Sequence, residues 1–402
     1  MNRWMRFLPA STGRALAGAL LAVTAALLHA CGGVEGQGTG SVSYSEGPIA
    51  GYGSIVVNGV HFDESRAQIS DDEGHSLAPT DLKLGMTVRV DAGAIDQTLA
   101  TAVATAVHVG SDLIGPVTTN DLLAQHIGLL GQTVRVTSST VFDDALAGGQ
   151  AAVTLGSTLQ VYAILDPVTG VYAAQRIELK AAPSAYKLRG VVSQLDKTQH
   201  TFRMGGAGFS YAEGIAPADL ANGQTLRLQL QTQVDGNGRW VVGRFDDGRS
   251  RPAEGSEAEI ESVIATFTSN ASFTMSGLTV NASSARIEPA GATLAAGLRV
   301  EVEGTINAGV LMATKLEVKG SGDDGGDDDG GGRDLELSGR ISLLDTQAKT
   351  FVLRGQLIDY TDAVFDDNLS EADLANDKKV EVRGRLSTDG TVVLAERIKI
   401  ED

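Results

Sequence analysis

Three pairs of adjacent aspartates are the residues whose type and spacing could bind a ligand. They are Asp71–Asp72, Asp143–Asp144 and Asp366–Asp367, and they lie after the third strand in three of the repeats described below. Carboxylate oxygens are the hard ligands that Ca²⁺ prefers, and extracellular modules bind this ion weakly. The pairs are therefore candidate calcium ligands. We favour the other interpretation, a solvated turn in which each aspartate accepts hydrogen bonds from its own backbone, and we predict no metal site.

The rest of the sequence offers little catalytic chemistry. The six histidines are scattered, and no pair has the spacing of metal ligands. The sequence contains no Gly-x-Ser-x-Gly nucleophile turn and no phosphate-binding loop. The run from Asp323 to Asp329 lacks the spaced ligands of a helix-loop-helix calcium site and suggests only loose counterion binding. We predict no catalytic residues, no cofactor and a protein that is not an enzyme; a hydrolase with two carboxylates is a further alternative.

The N-terminus has the pattern of a lipoprotein signal peptide. Three arginines precede an apolar run from Ala15 to Leu28, which is too short to span a membrane. Leu28-His-Ala-Cys31 resembles the lipobox, and Cys31 is the only cysteine in the chain. A lipid such as palmitate on the sulfur would prevent Cys31 from forming an intermolecular disulfide in an oxidising compartment. The alternative is that Cys31 is a free thiol. We predict removal of residues 1–30 and, because Gly32 and not an aspartate follows, anchoring in the outer membrane.

Composition adds two flexible segments and excludes one class of partner. The segment 31–46 is glycine-rich and predicts a tether, and 320–334 has no apolar side chain and predicts a disordered linker. The formal net charge is −18, whereas binding to phosphates needs clustered lysines and arginines. We therefore predict no nucleic-acid partner.

The remaining sequence repeats itself about five times. A Leu-x-x-Gly step precedes the fourth strand of a unit, and an Ala-x-x-Ile-like step lies in the fifth. Alternating apolar and polar residues divide each unit into about five antiparallel strands. The predicted repeats are 47–110, 111–182, 183–248, 256–319 and 335–402.

An all-β chain of small, five-stranded, OB-like barrels is the fold that this pattern favours. A unit of this size can close on itself, and closure removes the exposed strand edges that promote aggregation. An elongated β-sandwich with strands shared between units is the alternative, because the same period-two pattern permits it.

The repeat resembles a bacterial family of exported domains of unknown function, DUF5666. The resemblance is carried by Gly339-Arg-Ile341, Thr350-Phe-Val352, Val364-Phe-Asp-Asp367, Val380-Glu-Val-Arg-Gly384 and Ala395-Glu-Arg-Ile398. It is best in the last unit. Such a family implies a β-rich exported module, and it supplies no activity and no catalytic residues.

Two functions of different class agree with these observations. The first is a non-catalytic envelope protein that is anchored through Cys31 and binds an envelope protein or a glycan, as OB-like barrels do across one face. The second is a structural spacer of rigid barrels, with weak calcium binding at the acidic turns.

Overall fold

The computed structural model describes residues 42–247, 251–319, 335–366 and 370–401. The predicted signal peptide, Cys31, the linker 320–334 and Asp367 lie outside the described residues. Within the described residues there is no α-helix, and no helical segment is long and apolar enough to cross a membrane.

The strands fall into five successive groups, one for each barrel. Barrel 1 contains Ser43–Tyr52 (β1), Ile55–Val57 (β2), Val60–Asp63 (β3), Gln68–Asp71 (β4), Thr87–Ala92 (β5) and Thr101–Val109 (β6). Barrel 2 contains Leu113–Asp121 (β7), His126–Leu129 (β8), Gln132–Arg135 (β9), Val141–Phe142 (β10), Thr158–Leu165 (β11) and Val171–Leu179 (β12). Barrel 3 contains Tyr186–Val191 (β13), Ser193–Asp196 (β14), Thr201–Met204 (β15), Ala207–Tyr211 (β16), Thr225–Val234 (β17) and Trp240–Asp247 (β18).

The last two barrels repeat this pattern. Barrel 4 contains Glu257–Ser269 (β19), Ser272–Met275 (β20), Leu278–Asn281 (β21), Arg286–Glu288 (β22), Arg299–Asn307 (β23) and Val310–Val318 (β24). Barrel 5 contains Leu335–Arg340 (β25), Ser342–Asp345 (β26), Thr350–Leu353 (β27), Gln356–Asp359 (β28), Val364–Phe365 (β29), Lys379–Leu386 (β30) and Val392–Glu401 (β31). Short 3₁₀ helices lie at Pro79–Asp81, Asp144–Leu146, Gly149–Ala152 and Glu371–Asp373.

Each group closes into a five-stranded barrel, and barrel 5 shows how. The strand formed by β25 and β26 pairs with β27, and β27 pairs with β28. β28 runs parallel to β31, β31 pairs with β30, and β30 returns to β25. The closed order 1-2-3-5-4-1 is that of an OB fold. The prediction of an all-β chain of small OB-like barrels is confirmed.

Alternation of side chains explains why these segments are strands. In β30 the valines Val380 and Val382 are buried, whereas Glu381 and Arg383 point away from the core. The third strand of the last unit is broken into two pieces, β28 and β29. The Asp359 carboxylate accepts a hydrogen bond from the Thr361 N–H at 2.8 Å and so ends β28 in a turn before β29 begins.

The barrels are closed, but they are not separate. β1 pairs with β5 and β2 inside barrel 1, and its remaining edges pair in parallel with β19 of barrel 4 and β25 of barrel 5. β7 of barrel 2 also pairs with a neighbouring barrel, because it lies antiparallel to β13 of barrel 3. Barrels 1 and 5 share one hydrophobic core, barrels 2 and 3 share a second, and barrel 4 forms a third that includes Tyr44 of barrel 1.

β1 begins at Ser43, inside the segment 31–46 that we predict to be a tether. The sequence there is Ser-Tyr-Ser-Glu, which has one large apolar group, and that group is buried against another barrel. The strand is thus stabilised by residues more than 200 positions away, such as Ala258, which lies opposite Tyr44. A local sequence pattern cannot predict such long-range strand pairing.

Candidate functional site

The short strand before each acidic pair lies at an equivalent place in three barrels. β4, β10 and β29 each run parallel to the last strand of their own barrel. Asp143 and Asp366 occupy corresponding positions, whereas the equivalent residue of barrel 1 is Ser70, so that the pair Asp71–Asp72 lies one residue further along the chain. Their surroundings, however, differ from barrel to barrel.

Asp71 closes its own turn. Its Oδ1 accepts hydrogen bonds from the backbone N–H groups of Glu73 and His75, both at 2.9 Å, and its Oδ2 lies 3.0 Å from His75 Nδ1. Ligand atoms of Asp71, Glu73 and His75 lie within 4.8 Å of one another, and all three groups are in contact with solvent. This geometry corresponds to the solvated-turn alternative, in which the carboxylate is used by the backbone.

Asp72 faces the opposite way and is buried, with a side-chain exposure of 4%. Its carboxylate lies 2.6 Å from Arg227 Nη1, 3.1 Å from Lys187 Nζ and 3.0 Å from His108 Nε2. Burial alone would raise the pKa of Asp72. The hydrogen bond with His108 and the charges of Arg227 and Lys187 hold that pKa well below its usual range. Asp72 thus joins barrel 1 to barrel 3 through charge.

Asp143 and Asp144 begin a 3₁₀ helix beside a cleft between barrels 1, 2 and 5. The cleft has a volume of about 290 Å³, and Tyr52, Arg176 and Arg354 contribute to its walls. Asp143 Oδ1 is buried without a hydrogen-bond partner, whereas Asp144 is exposed. Burial and the nearby Glu178 carboxylate raise the pKa of Asp143.

The last pair contributes one described residue, since Asp367 lies outside the described part of the chain. Asp366 follows β29, its N–H donates to the Ile398 carbonyl, and its carboxylate lies 3.4 Å from Arg397 Nη1. The three pairs therefore lie near the same place in the fold, with an offset of one residue in barrel 1, but share no common set of partners. Calcium binding at these pairs remains the alternative interpretation.

The sequence did not reveal the cations around Asp72. Lys187 and Arg227 are separated from it by 115 and 155 residues. Nothing in the spacing of charges within one unit connects them. Only the packing of barrel 3 against barrel 1 brings them together.

A second recurring feature is a turn closed by aspartate at the end of a barrel. In this turn the aspartate Oδ1 accepts hydrogen bonds from the N–H groups two and three residues further on, and the residue four further on has a positive φ. We call these the Asp-closed turns, and they begin at Asp96, Asp121, Asp166, Asp196 and Asp345. They connect barrel strands 1 and 2 or strands 4 and 5, and in OB folds these loops flank the ligand-binding face.

The Asp-closed turns have the same backbone but two kinds of tip. In barrels 1 and 2 the tips are aliphatic, with Leu123 99% exposed and Leu99 67% exposed, and with Leu122 and Val168 also exposed. In barrels 3 and 5 the corresponding tips are polar, with Lys197-Thr198 and Thr346-Gln347. The difference cannot come from the needs of the turn, because the turn forms with either kind of side chain.

The fold defines the class of this protein as a tandem array of OB-like β-barrels. The sequence assigns three of these barrels to a family. The model of the family described as Domain of unknown function (DUF5666) matches residues 114–178, 257–317 and 338–399, in barrels 2, 4 and 5. The resemblance of the repeats to that family, noted from the sequence, is confirmed in these three segments.

Comparison with solved structures finds matches at low overall similarity. One is a multidomain protein with nucleic acid binding domains from Streptococcus pneumoniae, with 14% identity, coverage of 52% of this chain and 72% of that chain, and a TM-score of 0.15. Another is the CSD456 segment of Drosophila Unr, with 10% identity, coverage of 56% of this chain and 99% of that chain, and a TM-score of 0.13. No curated protein matches the sequence.

Proposed function

We propose that this protein is a non-catalytic, lipid-anchored envelope protein that binds a protein partner through the aliphatic tips of barrels 1 and 2. The observation that carries this proposal is the contrast between Leu122-Leu123 in barrel 2 and Lys197-Thr198 at the same place in barrel 3. Exposure of two adjacent leucines to water is unfavourable in free energy, and these side chains do not contribute to the core of the barrel. A partner that covers them would recover that free energy.

The chemistry of the tips supports a protein partner over a glycan. Sugars are usually bound by exposed aromatic rings, whereas the large aromatic rings of barrel 3 are turned inward. Phe202 and Phe209 stack on each other in the core, and Tyr211 packs against Phe202. Trp240 packs edge to face on Tyr186. Aliphatic side chains at the rim of a barrel suit the apolar core of a protein interface.

The localisation in this proposal is inferred from the N-terminal sequence. A lipid on Cys31, with Gly32 after it, would tether the barrels to the outer membrane. A net charge of −18 disfavours nucleic acid as the partner. A structural spacer would not need exposed leucines. The aliphatic tips are therefore the feature that distinguishes a protein-binding function from a spacer function.

Photo-cross-linking in intact cells tests this proposal on the full chain. A photoreactive amino acid replaces Leu123 in one strain and Thr198 in another, which places the same probe on the same turn of barrels 2 and 3. We expect a discrete protein adduct from position 123 and none from position 198. The double variant Leu122→Lys, Leu123→Thr copies the barrel 3 turn and should weaken binding of the identified partner about tenfold or more.

Three results would count against the proposal. Equal adducts at both positions would indicate non-specific proximity. Adducts with lipid alone would assign the leucines to the membrane surface. Unchanged partner binding by the double variant would leave the tips without a role.

A further inference from the structure

Three glutamates on neighbouring strands of barrel 4 meet in a cleft between barrels 4 and 1. Glu259 lies on β19, and Glu301 and Glu303 lie on β23, with Glu259 directly opposite Glu303. One carboxylate oxygen from each of the three lies within 4.8 Å of the others. The cleft has a volume of about 450 Å³, and Asn58 of barrel 1 closes one side by donating from Nδ2 to the Glu259 carbonyl at 3.2 Å.

Glu259 is the unusual member of this group. Glu259 is only 8% exposed, and among the described residues no hydrogen bond or ion pair reaches its carboxylate, although the charges of Lys315 and Lys319 act on it from a greater distance. Glu303 lies 2.6 Å from Lys315 Nζ, and Glu301 lies 3.2 Å from Lys319 Nζ. Burying a charge without a partner is costly, and so buried carboxylates are normally paired or bound to metal.

Barrel 5 shows what this position looks like when a partner is present. In both barrels a glutamate of strand 1 lies opposite the strand-4 residue that precedes a register shift. In barrel 4 Glu259 lies opposite Glu303, and in barrel 5 Glu336 lies opposite Arg383. Glu336 is paired with Arg383 at 3.3 Å. Barrel 4 has the same glutamate, but the arginine is replaced by another carboxylate.

In barrels 2 and 3 the charged group at this position also has an ion-pair partner. Lys187, opposite the residue before the register shift in barrel 3, is paired with Asp72. Asp112, one residue before β7, continues the same register in barrel 2 and is paired with Arg189 at 3.4 Å. Among these equivalent residues, all of them described, Glu259 is the ionisable group without a direct ion pair, since Lys315 and Lys319 contact Glu303 and Glu301 instead.

We propose that Glu259, Glu301 and Glu303 bind a calcium ion in the cleft between barrels 4 and 1. Calcium–oxygen distances of about 2.3–2.6 Å allow two oxygens of one ion to lie as much as about 5 Å apart, which the glutamate oxygens satisfy. Water from the open cleft completes the coordination shell.

The charge around the cleft favours a dication. Strands β19, β23 and β24 carry Glu257, Glu259, Glu261, Glu301, Glu303 and Glu317, against Arg299 and Lys315, with Lys319 just beyond β24. Burial, Glu301 and Glu303 together raise the pKa of Glu259 to about 8, which reflects the crowding of carboxylates at this point. A bound cation relieves that repulsion.

Calcium titration of the chelator-treated full-length protein by isothermal calorimetry tests the site. We expect one saturable site with a Kd of about 10⁻⁴–10⁻³ M, the range of extracellular calcium modules. Glu259→Gln keeps the shape of the side chain and removes its charge, and it should weaken that site about tenfold or more. The matched control is Glu336→Gln, the same change at the equivalent position of barrel 5, which should leave the affinity unchanged.

A second variant guards against misfolding of the first. Glu303 is more exposed than Glu259, so Glu303→Gln should fold and should also weaken the site, and thermal melts of each variant check the fold. Absence of saturable binding up to about 10 mM calcium would overturn the proposal, since modules of this kind bind at or below the millimolar range. Equal affinity in wild type and both variants would assign the ion to another place, such as the acidic turns. None of these outcomes depends on the aliphatic tips.

Discussion

Arg227 of barrel 3 donates a hydrogen bond of 2.6 Å to Asp72 of barrel 1. The two residues belong to different sheets, because barrels 1, 4 and 5 form one continuous sheet and barrels 2 and 3 form the other. Lys187 and His108 approach the same carboxylate, so that one buried acid is surrounded by three basic groups. Asp72 is therefore an electrostatic connection between the two sets of barrels, and its removal would leave Lys187 and Arg227 without this buried counter-charge.

Replacing Asp72 with Asn should destabilise barrel 3 strongly. Removing one partner of a buried ion pair costs about 3–5 kcal/mol, because the remaining charge stays desolvated. Trp240 lies in barrel 3 and is the only tryptophan outside the predicted signal peptide, so its fluorescence during urea unfolding reports on that barrel. The matched control is Asp71→Asn, which loses only turn hydrogen bonds and should cost about 0.5–1.5 kcal/mol. Equal losses in the two variants would refute the buried connection.

The same aspartate should give the protein a marked sensitivity to acid. The pKa of Asp72 is lower in the folded state than its usual value of 3.8. Below about pH 4 the unfolded chain therefore takes up a proton that the folded chain does not, and the stability contributed by Asp72 decreases as the pH falls. That contribution is fully present above about pH 5. Urea midpoints between about pH 3 and 6 should fall more steeply for wild type than for Asp72→Asn, and parallel curves would contradict the assignment.

Membrane attachment should depend on Cys31. We expect Cys31→Ser to release the protein from the membrane fraction and to abolish labelling with a palmitate analogue, because several acyl chains supply the anchoring free energy. Gly32→Asp is the informative companion, since it keeps the lipid and should move the protein from the outer to the inner membrane. Membrane association that persists in Cys31→Ser would show that another segment holds the chain there.

The sequence predicted what depends on local pattern. Alternation in segments such as Val380–Val382 identified strands with one buried face, and the recurrence of that pattern predicted barrels that close on themselves. These features need only neighbours within one unit. The Asp-closed turns also depend on local contacts, because Asp121 and its equivalents bind their own backbone, but they were not among the predicted sites.

The features that the sequence did not predict depend on which barrels contact one another. β1 begins as early as Ser43 because barrel 4 covers Tyr44, and Asp72 is ionised because barrel 3 supplies Arg227. Glu259 lacks a partner because its strand neighbour is Glu303 and not an arginine. No periodicity within a unit reports such contacts, so the sequence identified the aspartates of the turns and missed the glutamates of the cleft.

Gly51 should be indispensable where barrels 1 and 5 join. It lies opposite Glu336 in the parallel pairing of β1 with β25, and a Cβ atom at this position would overlap the Glu336 carbonyl oxygen. Gly51→Ala must push β25 away, which typically costs about 1–3 kcal/mol and should speed amide hydrogen exchange in β25. Gly93→Ala is the matched control in the same barrel, because a Cβ there would meet only the Val103 carbonyl oxygen, at 4.0 Å. That variant should melt at or above the wild-type temperature, since alanine restricts the unfolded chain. If Gly51→Ala were as stable as Gly93→Ala and protected β25 equally, the strand pairing would not be what joins the first barrel to the last.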